Sequence, residues 1–121
     1  MDTNHRVRWV THRGNKILVN NYHGLTGEKL LSFIDYCVHH IKKTGKSDIL
    51  LLVDVEKTEV STASQLKFAE ASRKIKNSCS KVAVIGLTDI KRKIVNAINK
   101  VTGLEAKVFK TALEARNWLT S

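Results

Sequence analysis

The 121-residue chain has no proline, six glycines, two cysteines and only 6% aromatic residues. Lacking proline and sparing with glycine, it offers few points where an element must break, so its glycines read as punctuation between elements. Neither a repeat nor a low-complexity stretch occurs. Cys37 and Cys79 lack the CxxC spacing of metal or redox pairs, and both fall on apolar positions of expected helices, where a thiol acts as a small buried hydrophobe. No window reaches the ~18 apolar residues of a membrane span, and the opening MDTNHRVRWV has no apolar signal core. The expectation is a soluble, cytoplasmic protein with reduced thiols.

Acids are also scarce: 11 Asp and Glu stand against 21 Lys and Arg, a formal charge of +10. A net positive field favours polyanions, acidic protein faces and anionic membrane surfaces. With few aromatic groups to stack on bases, and with no aromatic RNA-binding strand, charge alone supports only non-specific nucleic-acid binding. The hydrophobic fraction of 42% is ordinary for a globular chain. The length suits one domain over residues 1–121, burying roughly two-thirds of its unfolded surface.

Residues 6–12 and 16–22 read as a hairpin around Arg13-Gly14-Asn15, with Ile17 and Val19 sharing a face. From Glu28 to Lys43, Leu30, Ile34, Cys37 and Ile41 recur at helical spacing, and Thr44-Gly45 stops the helix. "DILLLV", residues 48–53, is the continuous apolar run of a central strand covered on both sides. A helix over 63–77 is expected to turn Leu66, Ala69 and Ile75 inward. "KVAVIGLT", residues 81–88, is a second buried strand opening a helix over 90–101, with Ile90, Ile94, Ile98 and Val101 on one side. A short strand over 106–109 and a helix capped by Thr111 with Glu114 finish the chain. Strand, strand, helix, then three strand-helix units imply an α/β layer whose sheet is mixed at the hairpin end.

Ligands of such sheets bind beyond the carboxyl ends of the strands. Two junctions fall there, 54–65 and 86–93. In the first, Thr62 with Gln65 fits a capping box, and the same helix start would accommodate a phosphate on Ser61, Thr62 or Ser64. Asp54 is a candidate phosphoacceptor or base, but the neighbouring strand ends in Asn20-Asn21-Tyr22-His23, with no acidic pair to hold magnesium; a turn residue bonding to following amides is the plainer role. In the second junction, Gly86 precedes Thr88 or Asp89 as a helix cap, then Lys91, Arg92 and Lys93. Cations at a helix amino end oppose its dipole and make sense beside an anion or an acidic partner, or as solvated surface. The five histidines, His39-His40 among them, show no metal-ligand spacing and read as exposed. There is no GxSxG, P-loop or GxGxxG motif, so neither enzymatic function nor a cofactor gains support.

The segment "ILLLVDVEKTEVSTASQLKFAEASRKIKNSCSKVAVIGLT" resembles the centre of STAS domains, the anti-sigma-factor-antagonist fold, in which an apolar strand ends in Asp and a loop leads to Asp-Ser at a helix start. "KVAVIGLTDIKRKIVNAINKVTGL" followed by "AKVFKTALEARNWL" is similar to the carboxyl half of small bacterial SpoIIAA-like proteins. The likeness covers residues 16–119. It implies a mixed sheet of four to five strands with about four helices, and a protein-interaction or small-ligand module in place of a catalyst. The phosphorylated Ser of signalling STAS members falls on Thr62, with Ser61 where those members carry Asp, and Asp54 matches the strand-end Asp. The expected function is thus a regulatory module with a protein partner, acidic in character, and with phosphorylation as a switch. A carrier holding a small apolar or anionic ligand between sheet and helices is the alternative, and a homodimer is compatible with the size and edge strands.

Overall fold

The structure, a computed structural model, describes residues 5–121; the first four residues of the amino-terminal stretch read above lie outside the described residues. Strands β1 (Val7–His12) and β2 (Asn15–Asn21) form an antiparallel hairpin in the register Val7↔Asn20 to His12↔Asn15. Only Arg13 (φ 52) and Gly14 (φ 78) separate the strands, and two consecutive positive φ values give the turn whose twist matches that of a hairpin. Helix α1 (Gly27–Lys43) leads to β3 (Ile49–Asp54), α2 (Thr62–Ile75), β4 (Cys79–Ile85), α3 (Asp89–Thr102), β5 (Lys107–Val108) and α4 (Ala112–Leu119). The sheet order is β1-β2-β3-β4-β5, with β2 to β5 parallel and β3 central, as its unbroken apolar sequence requires.

Alternation along the strands divides the core into two layers. Leu18, Leu51 and Val82 face α1 and α2, packing with Ile41 and Ile75; Ile17, Val19, Leu52 and Ala83 face α4, packing with Ala115 and Leu119. A third cluster, Tyr22, Leu25, Leu30, Phe33, Ile34 and Cys37, extends the first layer toward the carboxyl ends of the strands. Tyr22 meets Phe33 and Phe68 edge to face at 5.0 and 5.2 Å.

Four expectations need correction. Cys79 opens strand β4 and is not helical, although it is still part-buried against the core. Leu66 is 68% exposed. The inward arc of α2 is Ser64, Phe68, Ala71, Ser72 and Ile75, and Leu66 lies about 200° round the helix from Ser64. Two serines on the buried arc disguised it: Ser72 returns its hydroxyl to the Phe68 carbonyl at 2.8 Å and so can be buried without an outside partner. On α3, Ile90 and Val101 are exposed, while the arc turned toward the sheet is Lys91, Ile94, Val95, Ile98 and Asn99. Of the histidine pair, His39 is exposed, but His40 is half-buried and stacked on Tyr36.

Candidate functional site at the carboxyl edge of the sheet

Parallel pairing of β3 with β4 in the register Asp54↔Ile85 sends both chain exits from the same edge. Asp54 Oδ1 accepts from the Glu56 amide at 2.9 Å, the turn role that its position allows. Gly86 sits against that turn with φ +82; a Cβ there would lie 2.6 Å from Glu56 N and 2.9 Å from Asp54 Oδ1, so only glycine lets the two exits approach so closely. Lys91 then reaches across to donate from Nζ to the Val55 carbonyl at 2.9 Å. Burial pushes its ammonium pKa down, while Asp54 and Glu56 pull it back up. Asp54, Gly86 and Lys91, far apart in sequence, are thus one cluster.

The hydroxyl group of residues divides differently from the sequence reading. Ser61, and not Thr62, is the cap of α2: its hydroxyl accepts from Ser64 N at 3.0 Å, while Ser64 Oγ accepts from Ser61 N at 2.9 Å. Serine completes the box at the third helical position, so the Gln65 return expected for Thr62 is not used. The short Ser64 side chain is drawn inward by the same exchange, donating to the Glu59 and Ser61 carbonyls, and is 2% exposed. Thr62 is exposed as the first helical residue. Thr88 caps α3, accepting from Lys91 N at 3.3 Å. Arg92 is half-exposed and Lys93 exposed; neither joins the Asp54 cluster.

Behind this edge, between α3 and the sheet, lies a mainly apolar cavity of about 130 Å³. Ser64, Lys91 and Asn99 are on its wall together with Asn20, Tyr22 and Cys37, which sequence reasoning did not single out. Asn20 is 2% exposed, and its Oδ1 has no hydrogen-bond partner. The Tyr22 hydroxyl interacts with the side chains of Asn20 and Cys37. Burial raises the Tyr22 hydroxyl well above its ordinary range and pushes the Cys37 thiol up to about 12, so both are neutral. A signal for Asn20 was present: in "KILVN" it falls on the same alternating face as Leu18, a polar group on a buried period. Among the described residues no three His, Cys, Asp or Glu side chains gather as metal ligands, and no helix is long and apolar enough to cross a membrane.

A profile of the SpoIIAA-like family matches residues 22–120, from the end of the hairpin to the close of α4. The chain belongs to the SpoIIAA-like family. Among solved structures, this SpoIIAA-like chain is similar to a protein of Shewanella loihica described as uncharacterized with a SpoIIAA-like fold. The two superpose with a TM-score of 0.72 at 16% identity, covering 93% of this chain and 91% of the other, a likeness of fold. No protein of curated function matches the sequence.

Proposed function

We propose that this SpoIIAA-like domain is a non-catalytic interaction module that docks an acidic protein partner on the outer surface of the α2 and α3 amino ends. One observation carries the reading. Val60, Leu66 and Ile90 are 43%, 68% and 69% exposed where two helices begin at one sheet edge, and Lys91, Arg92 and Lys93 follow Ile90 directly. Exposed apolar groups beside a run of three cations suit a partner that is acidic on balance, which the overall charge of +10 would also steer, with Glu59 and Asp89 next to Val60 and Ile90 as the local acids. The polar groups of the edge are engaged with the backbone: Asp54 with Glu56 N, Ser61 and Ser64 with each other, and Lys91 with Val55 O. That arrangement shapes two loops and supports docking more than bond-making chemistry. Thr62, exposed at the head of α2, is the position at which phosphate would change the charge of this surface without disturbing the Ser61 cap.

The test pairs two charge-altered surfaces. Ile90→Lys with Arg92→Glu changes the proposed face; Leu113→Lys changes the exposed face of α4. With the protein immobilised in extract from its own cells, the first variant should lose a salt-sensitive acidic partner that wild type and the Leu113→Lys control both retain. Loss in both variants, or in neither, excludes this face. Thr62→Glu should weaken the same capture.

A further inference from the structure

We propose that the cavity beneath α3 is a binding pocket for a small, neutral, mainly apolar molecule bearing one hydrogen-bond donor, held by Asn20 Oδ1. The site lies on the inner side of α3 and stands independently of the docking surface outside it. Its size sets the scale of the ligand. At about 130 Å³ it is close to the ~150 Å³ engineered apolar cavity that stays dry and takes up benzene. Leu51, Val53, Phe68, Ile94 and Ile98 supply apolar wall from β3, α2 and α3.

Polarity is concentrated at one point. A buried acceptor left without a donor is rare and destabilising, and Asn20 Oδ1 is such an acceptor. Asn20 neighbours Tyr22, which in turn neighbours Cys37, and the amide oxygen is the atom left without a partner. The other hydroxyls of the wall have their protons committed, Thr58 to the Tyr22 carbonyl, Ser64 to Glu59 and Ser61, and Ser72 to Phe68, so none of them donates to Asn20 Oδ1. A ligand that donates one hydrogen bond and covers apolar wall with its remaining surface satisfies both demands. It must be neutral, since the groups around Asn20 are a phenol and a thiol, which do not compensate a buried charge. Access is by way of α3, whose Ile94, Val95 and Ile98 are only half-buried, past the polar rim of Glu59, Gln65 and Lys91.

Phenol, toluene and benzoate share one shape and separate these demands. In amide-resolved NMR titrations of the full chain, phenol should shift the signals of Asn20, Leu51, Ile94 and Ile98. Toluene should bind at the same place about fivefold more weakly, the worth of one neutral hydrogen bond, and benzoate should not bind. Asn20→Leu should equalise phenol and toluene, and Ala71→Leu, which fills the pocket from α2, should abolish both. Equal wild-type affinity for phenol and toluene, shifts confined to residues outside the pocket, or phenol binding that survives Ala71→Leu would each overturn the assignment. The Ala71→Leu result is informative even if Asn20→Leu does not fold.

Discussion

Helices α1 and α3 cover the same face of the sheet, and both are amphipathic, yet they are built in to different depths. The first buries Leu30, Phe33, Ile34, Cys37 and Ile41 almost completely; the second buries only Thr102. What secures α3 is a set of polar anchors along its length. Lys91 donates to Val55 O, Asn99 exchanges two hydrogen bonds with the backbone of Ala106, and Lys76 donates to Thr102 O. A helix pinned by hydrogen bonds and standing off the sheet leaves space beneath it and apolar groups outside it. Helix α1 contributes stability, and α3 contributes the surfaces that can meet something else.

One chemical change made in both helices breaks or supports this contrast. Ile34→Ala on α1 should cost about 2–5 kcal/mol, the range for a large-to-small change at a site that cannot collapse. Ile98→Ala on α3 should cost about 1 kcal/mol, because the side chain is half-exposed and already borders empty space. Urea midpoints measure both; equal losses would show α3 to be as deeply packed as α1.

The ends of α3 allow a second contrast of the same kind. Gly86, before the helix, and Gly103, its C-cap, have nearly equal φ values of +82 and +78. Alanine at either pays the left-handed penalty of about 1–2 kcal/mol. At position 103 the nearest neighbour is the flexible end of Lys76 at 3.6 Å, so nothing further is expected. At position 86 the Cβ meets backbone at 2.6 Å, and the two strand exits must separate. Gly86→Ala should therefore be the more destabilising by at least ~1 kcal/mol, and it should displace the amide signals of Glu56 and Lys91 where Gly103→Ala leaves them unmoved.

Alkali should act on the two helices with opposite signs. The Cys37 thiol on α1 is pushed from 9.0 to about 12 by burial, as is Cys79 on β4. A folded pKa above the unfolded one gives stability that is complete below the unfolded value and is lost as pH rises toward the folded one. Between pH 9 and 12 the unfolded chain ionises its thiols first, so each should cost about 1 kcal/mol by pH 10. Lys91 on α3 is shifted down, and over its own interval the unfolded chain holds the extra proton, so its contribution rises with pH. Urea midpoints at pH 8 and 10 should fall for wild type and fall less for Cys37→Ala; an unchanged slope in that variant would place the alkaline loss elsewhere.

How much of this was legible in the sequence follows from how each element announces itself. The "DILLLV" and "KVAVIG" runs are apolar because both faces of β3 and β4 are covered, and their strand-helix order gave the parallel sheet and the shared edge. Helix α1 carries its buried arc as an unbroken apolar stripe. The arcs of α2 and α3 do not, since Ser64, Ser72, Lys91 and Asn99 occupy inward positions by bonding to backbone at close range. Apolar periodicity therefore selected Leu66, Ile90 and Val101, which are exposed. The proximity of Asp54, Gly86 and Lys91 was legible because chain order alone brings two strand ends together. Asn20, Tyr22 and Cys37 were missed as a group because the end of β2 and helix α1 must pack together before their proximity exists.

The smallest effects lie at the head of α2, where sequence and structure differ by one residue. With Ser61 as the cap, Ser61→Ala should cost about 1 kcal/mol, because Ser64 N loses its acceptor while Thr62 remains unused. Thr62→Ala should change stability by only a few tenths of that. Helix α2 has no acid in its first turn, whereas α3 has Asp89, so Thr62→Glu should favour α2 by about 0.3–1 kcal/mol through the helix dipole. That sign matters for regulation. A charge at position 62 that stabilises the fold while weakening capture of the acidic partner acts on the surface alone, and a charge that destabilises the fold would mean that any such switch works by loosening α2. Urea midpoints of the three variants, measured beside the capture experiment, distinguish the two routes.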